Sequence, residues 1–248
     1  MILSSDAIIL KSMKYGDTSR IVTAFTQEYG KISLIAKGAR GKRSKFGSAL
    51  EPLSFSNLVY YQKDGRDLQI LSQADTMVQF RQIVEDERKL ITGLCIAEFL
   101  HAVTMEGDPH SDLFDLTVRQ FELLNTSRSA PEHALLRFLL ALPDHLGFGL
   151  DLNTCIRCRA DLGESEAVRE SVLFDARDGG FACSDCTRVL DGSPSGAGTF
   201  RLLRSLSLGM EDIAKAESAI TRECIDLLHN HLRTHIDGMR RIRSLALL

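Results

Sequence analysis

The sequence predicts an α+β chain of more than one domain: a small N-terminal β-barrel, a helical domain, and a four-cysteine metal module inserted among the helices. Three observations predict it. Short β-rich runs separated by turn signals fill the first 80 or so residues. The apolar spacing becomes helical near Phe80. Two Cys-x-x-Cys pairs, Cys155/Cys158 and Cys183/Cys186, then interrupt the helical part with 24 residues between them. The length of 248 residues suits one large or two small domains, and 44% hydrophobic with 25% charged residues excludes wholesale disorder and fibrous structure. No apolar run approaches the roughly 18 residues that cross a bilayer, so no membrane partner is expected. Met1-Ile2-Leu3-Ser4-Ser5-Asp6 lacks the basic start and apolar stretch of a secretory signal, so a cytoplasmic protein is expected.

Five runs are strand candidates: Ala7–Leu10, Ile21–Phe25, Lys31–Ala36, Leu58–Tyr61 and Leu68–Leu71. Tyr15-Gly16-Asp17, Tyr29-Gly30-Lys31 and Lys63-Asp64-Gly65-Arg66-Asp67 supply turns. Five strands in this length fit a small barrel or sandwich, and an OB-like barrel matches the count. The 13 residues from Gly38 to Leu50 are expected to form a long exposed loop.

Beyond Phe80, Ile83, Leu90, Ile91, Leu94, Cys95 and Ala97 recur at helical spacing, with Leu100 and Val103 extending the stripe. Glu85-Asp86-Glu87 reads as a solvated helix face. A second helix is predicted from Ser111-Asp112 through Leu124, and a third from Pro131 through Leu142. After the cysteine module and a Gly/Ser loop at 191–198, two helices are predicted near 199–208 and 221–247. The last carries Ile225, Leu228, Leu232, Ile236, Met239 and Ile242 on one stripe.

Two Cys-x-x-Cys turns supply four sulfurs, the number that tetrahedral Zn²⁺ takes, and four thiolates close its coordination sphere, so such a site is structural. Disulfides, redox pairs or an iron–sulfur cluster use the same residues; a reducing compartment disfavours the disulfides. Cys95 and Cys224 lie in apolar helical patterns and read as core.

Net charge is −3, but its distribution is uneven. The first 50 residues hold nine Lys and Arg against Asp6, Asp17 and Glu28, a balance of +6 that leaves −9 for the rest. Lys37-Gly38-Ala39-Arg40-Gly41-Lys42-Arg43-Ser44-Lys45 has five cations and no anion. A flexible cationic segment on a barrel can follow a phosphate backbone while aromatic rings stack on bases. Phe46, Tyr60 and Tyr61 are stacking candidates, with Tyr60 and Tyr61 on opposite faces of one strand. The same loop could be a solubilising surface, and Phe46 and one tyrosine could be core. Gly38–Ser44 fails the P-loop pattern, and no Gly-x-Ser-x-Gly or His-Glu-x-x-His is present, so no enzyme is predicted. His231 and His235, four apart beside an apolar stripe, read as packing or surface residues.

The residues also carry a resemblance. Tyr15-Gly16-Asp17-Thr18-Ser19-Arg20-Ile21-Val22, Ala36-Lys37-Gly38-Ala39-Arg40, Lys45-Phe46-Gly47 and Leu50-Glu51-Pro52-Leu53 form one block. Gly147-Phe148-Gly149-Leu150-Asp151-Leu152, leading into Cys155-x-x-Cys158, then Phe174, Gly180 and Cys183-x-x-Cys186, forms the other. In this order they resemble the RecO family of bacterial recombination mediators, nearly end to end. One departure is Arg159, where the family often has Gly. The resemblance implies an N-terminal OB-fold β-barrel over 1–80, an α-helical domain over 81–150 and 190–248, and an inserted four-cysteine, zinc-ribbon-like module over 151–189. It implies structural Zn²⁺ on Cys155, Cys158, Cys183 and Cys186. It implies binding of single- and double-stranded DNA, strand annealing, association with RecR and with the acidic, hydrophobic C-terminal tail of SSB, and through these help in loading RecA, without turnover chemistry. Candidate DNA-binding residues are Arg20, Lys37, Arg40, Lys42, Arg43 and Lys45; Arg119, Arg128 and Arg137 are candidates for an acidic tail. The alternative is a protein-interaction scaffold whose DNA contact is incidental.

Overall fold

In the computed structural model, which describes residues 1–41, 44–163, 168, 171–187, 195–210 and 218–248, contacts divide the chain into two units. Met1–Ser127 with Arg240–Leu248 is one; Arg128–Met239 is the other.

Alternating apolar and polar residues build the five strands of the first unit. These are β1 (Ile2–Tyr15), β2 (Ser19–Thr26), β3 (Gly30–Ala36), β4 (Phe55–Tyr61) and β5 (Gln69–Val78). They close in the order β1-β2-β3-β5-β4, with a parallel β3–β5 contact, giving the OB-like barrel. β1 is far longer than its apolar run Ala7–Leu10 suggests. Ile2–Ile8 pairs with β4 and Ala7–Tyr15 pairs with β2, with a register shift between Ile9 and Lys11. Ala7, Ile9, Val22, Ala24, Leu34 and Leu58 point into the barrel core. Phe25 and Phe55 pack against Phe114 of α3 (Ser111–Thr126), with ring centroids 6.1 and 5.9 Å apart.

The segment 38–50 corrects one expectation. It is not an exposed loop throughout, because Phe46, Ala49 and Leu50 join the barrel core. Ser56 fixes this return by donating its hydroxyl to the Ala49 carbonyl at 2.9 Å. The first long helix is also two helices, α1 (Arg81–Glu85) and α2 (Glu87–Val103). Asp86, expected on a solvated face, instead caps α2: its carboxylate accepts from the Lys89 N–H at 3.0 Å.

The second unit begins with α4 (Pro131–His145). A small sheet follows, with β6 (Ser171–Asp175) between β7 (Gly180–Ala182) and β8 (Ser195–Gly196). The one-turn α5 (Ser184–Thr187) follows β7 in the chain, and α6 (Ala197–Ser207) and α7 (Ser218–His235) complete the unit. The helices thus fall into both units, α1–α3 with the barrel and α4, α6 and α7 with the cysteine module. Part of the Gly/Ser loop, 191–194, lies outside the described residues.

The helix expected over 221–247 ends at His235. Gly238 takes φ +68°, and the chain turns back to the first unit instead of continuing the stripe. Ile242 and Leu245 are buried there. Glu98 of α2 holds the returning segment: its two carboxylate oxygens accept from Arg243 N–H (2.9 Å), Ser244 N–H (2.9 Å) and Ser244 Oγ–H (2.6 Å). Burial raises the Glu98 pKa, but these donors and the Arg243 charge outweigh it, so the net shift is downward. A lowered folded pKa means stability that is present above the ordinary glutamate value and is lost as pH falls through the folded value. Glu98→Ala is expected to cost about 2 kcal/mol, read by urea unfolding at neutral pH. The gap between wild type and variant should close as the carboxylate titrates; a gap that persists in acid would show that its charge is not what holds the segment.

Candidate metal centre and nucleic-acid interface

The four cysteines converge. Their sulfurs all lie within 4.8 Å of one another, with Cys158 Sγ and Cys183 Sγ 3.7 Å apart. Metal–sulfur bonds of about 2.3 Å in a tetrahedral site place sulfurs about 3.8 Å apart. That pair joins different Cys-x-x-Cys motifs, and all six cysteines of the chain are free thiols. The arrangement is four ligands to one centre, not two disulfides. It is close enough to hold a metal ion.

Electrostatics point the same way. Burial opposes ionisation of Cys155, but N–H donation from Cys158, Cys183 and Arg157 outweighs it and draws the thiol down to about 6. Cys186 is pushed up to about 12, by burial first and then by the neighbouring thiols, and Cys183 is raised as well. A dication held among the four sulfurs would displace their protons.

The first knuckle is built by Asp151. Its Oδ1 accepts from Asn153 N–H (2.8 Å) and Thr154 N–H (3.2 Å), and its Oδ2 accepts from the Thr154 hydroxyl (2.6 Å). The Thr154 hydroxyl leads in holding this carboxyl below its ordinary value. Cys155 N–H then donates to Ala160 O at 2.8 Å, and Arg159 N–H to Cys155 O at 3.0 Å. Arg159 adopts φ +62°, so the departure from glycine keeps the left-handed turn and puts an arginine into it.

Glycines dock this knuckle on the β6–β7 hairpin. A side chain at Gly180 would meet Ile156 Cγ2 at 2.7 Å and Asp151 O at 2.9 Å. Gly179, at φ +65°, faces His231 Cε1. His231 and His235 serve packing, as the sequence suggests. The His231 nitrogens bond the carbonyls of Ala176 (2.7 Å) and Phe148 (3.1 Å), and His235 stacks on Phe148 at 4.7 Å. Asp175 caps its own turn, accepting from Arg177 N–H at 2.8 Å.

On the barrel, the two halves of the first motif block meet. Arg40 N–H donates to Thr18 O (2.8 Å) and Arg40 Nη1 to Gly16 O (2.9 Å), so the cationic segment lies against the β1–β2 turn. Lys37, Arg40 and Lys45 are exposed, and Lys45 Nζ sits 5.3 Å from the Phe46 ring. Lys42 and Arg43 lie outside the described residues. Arg20 is committed internally, donating to Glu51 Oε1 (2.8 Å) and Ser12 Oγ (3.3 Å). Lys31, counted in the +6, is buried: its Nζ donates to the carbonyls of His101 (2.8 Å) and Thr104 at the end of α2.

Of the stacking candidates, Phe46 and Tyr60 are core, at 3% and 0% exposure, and Tyr61 is exposed at 48%. Tyr15, read in the sequence only as a turn signal, is 52% exposed beside the Gly16 that Arg40 grips. Its one sequence signal is an aromatic at a strand end without apolar company. Arg119 is exposed on α3, and Arg128 is exposed at the start of the second unit. Arg137, on α4, uses Nη2 to donate to Met210 O at 2.7 Å. The structure does not gather the three into one pocket within either unit.

Two family models together cover most of the chain. Residues 1–80 match the family model for the recombination protein O N terminal, and residues 84–246 match that for the recombination protein O C terminal. The chain is similar to the DNA repair protein RecO of Chloroherpeton thalassium, 30% identical over 250 residues, 98% of this chain and 96% of that one. It is 31% identical to the DNA repair protein RecO of Anaeromyxobacter dehalogenans over 94% of this chain and 92% of that one. It is 35% identical to that of Salinibacter ruber over 75% and 69%.

The knuckle yields a test. A left-handed arginine costs roughly 1–2 kcal/mol, and glycine adds back about 0.5–1 kcal/mol of chain entropy. Arg159→Gly should therefore leave melting temperature unchanged or slightly raised. Arg159→Pro, with φ fixed near about −65° and no N–H for Cys155 O, should abolish the thiolate-to-Co²⁺ absorption that wild type and Arg159→Gly give. Loss of that absorption in the glycine variant would show that the arginine side chain builds the turn.

Proposed function

The chain belongs to the RecO family of DNA repair proteins, and we propose on that premise that it is a non-enzymatic, cytoplasmic DNA-binding recombination mediator. It binds single- and double-stranded DNA and anneals complementary strands. With RecR it helps RecA replace SSB on single-stranded DNA. The observation that carries the reading is the barrel corner where Arg40 grips the β1–β2 turn next to exposed Tyr15, in a segment that also exposes Lys37 and Lys45. Cations there neutralise phosphates and lower the repulsion between two strands. Tyr15 offers a ring for a base. Arg20 donates to Glu51, which offsets part of its charge toward a phosphate.

The metal is zinc in this reading, held by Cys155, Cys158, Cys183 and Cys186. Its part is structural, because four thiolates leave no position for water or substrate. The ion would supply positive charge beside the four thiolates. The protein's own residues do the rest: Asp151 shapes one knuckle, and Gly179 and Gly180 admit it to the hairpin. Arg119 and Arg128 are the exposed candidates for the acidic SSB tail.

Two measurements check this reading. Fluorescence anisotropy of a labelled oligothymidylate across salt concentrations should show binding that weakens steeply with salt. Lys37→Glu with Lys45→Glu should lower affinity and flatten the log–log salt slope by about 1.4. Tyr15→Ala should lower affinity about tenfold, within the roughly 1–3 kcal/mol of a base stack, and leave the slope alone. Absence of binding at low salt would favour the scaffold reading. Separately, elemental analysis should find one zinc per chain in the wild type and none in Cys183→Ser; iron instead of zinc would reassign the metal.

A further inference from the structure

The last nine residues return to the barrel unit, and they carry cations that the barrel corner does not use. Arg240, Arg241 and Arg243 are exposed, while Ile242 between them is buried at 2% and Ser244 and Leu245 are buried beyond them. The buried residues anchor the segment and leave the guanidinium groups outside. Arg240 and Arg241 form no ion pair among the described residues. The segment is fixed, because Glu98 accepts from the Arg243 and Ser244 backbone and the Ser244 hydroxyl. The carboxylate beside Arg243 is thus engaged with backbone. A pre-ordered cationic segment loses little freedom on meeting a polyanion.

β1, which carries the exposed Lys11, and the C-terminal turn Ser244–Leu247 both pack against α2. Glu98 and His101 stand three residues apart, one above the other on the helix. Burial, then the charges of Lys31 and Lys11, hold the His101 imidazole below its ordinary value against the opposing charges of Glu98 and Glu106. Lys31 is buried on α2 carbonyls, and Lys11 is exposed.

We infer that Arg240, Arg241 and Arg243, with Lys11, form a second phosphate-binding surface that takes a nucleic-acid strand, distinct from the corner at residues 37–45. This rests on the DNA-binding reading and deepens it. A protein that brings two strands together needs cations for both, and two surfaces on one unit supply them.

The test uses the full chain and a labelled oligothymidylate. Arg240→Glu, Arg241→Glu and Arg243→Glu are combined in one variant, and Lys11→Glu is made separately on another element. A control, Lys63→Glu with Arg66→Glu and Arg81→Glu, makes the same charge change at other exposed sites of the unit. The arginine variant should flatten the log–log salt slope by about 2 and the Lys11 variant by about 0.7, with the control near wild type. Annealing of complementary oligonucleotides should fall further than single-strand affinity, and the loss should add to that of the Lys37/Lys45 variant. If wild type binds and the arginine variant behaves like the control, the second surface is overturned and the barrel reading stands. If wild type does not bind, both fall together. Loss in the Lys11 variant also separates a surface effect from misfolding of the C-terminal segment.

Discussion

Closure of a five-strand barrel requires every strand to pair on both edges, and β1 meets that requirement by dividing its length between two partners. Its first half pairs with β4 and its second with β2, and the shift between Ile9 and Lys11 re-aims the strand between them. Much else in the first unit follows. Ala7 and Ile9 face inward, while Ile8 and Leu10 are buried on the strand's other side. Beyond the shift Lys11 and Lys14 reach solvent, and the strand ends at Tyr15 and the turn that Arg40 grips. One hydrogen-bonding constraint thus sets the core, the helix-covered face and the cationic corner.

How much of this was legible in the sequence depended on which force decided each element. The barrel strands showed through period-two alternation, because burial of alternate side chains is what forms them. The cysteine cluster showed through ligand spacing, because two short turns are all that bring four sulfurs together. The length of β1 did not show, since its polar flanks are held by backbone pairing that no side-chain pattern encodes. Phe46, Ala49 and Leu50 were hidden in a segment whose cations and glycines signal a loop, although three apolar residues there complete the core. The last helix was overextended for a different reason. Ile242 keeps helical spacing but packs on the other unit, because Gly238 turns the chain and Glu98 receives it.

Charge counting fared in the same way. A balance of +6 over the first 50 residues falls on the barrel strands and on the segment that exposes Lys37, Arg40 and Lys45. The count does not say which cations solvent can reach. Lys31 serves α2 carbonyls and Arg20 serves Glu51, so neither adds freely to an external field. Meanwhile Arg240, Arg241 and Arg243, at the far end of an acidic remainder, return to the basic unit. Sequence distance separates charges that the fold brings together, and a net charge of −3 is compatible with a surface that attracts polyanions.

Magnitudes explain why the cysteine module tolerates a residue that its turn disfavours. The left-handed Arg159 costs roughly 1–2 kcal/mol, a serious fraction of the stability of a small domain taken alone. With the proposed zinc bound, burial would not be the knuckle's only support. A structural four-thiolate site contributes on the order of 10–16 kcal/mol when it takes zinc at neutral pH. Against that term a single strained residue is minor, provided that the N–H of Arg159 still reaches Cys155 O and the sulfurs still converge. Gly180 is a different case, because a side chain there would strike the Asp151 carbonyl and separate the knuckle from its hairpin. Conformational strain can be outweighed by the metal, whereas a clash that moves a ligand removes the term that would outweigh it.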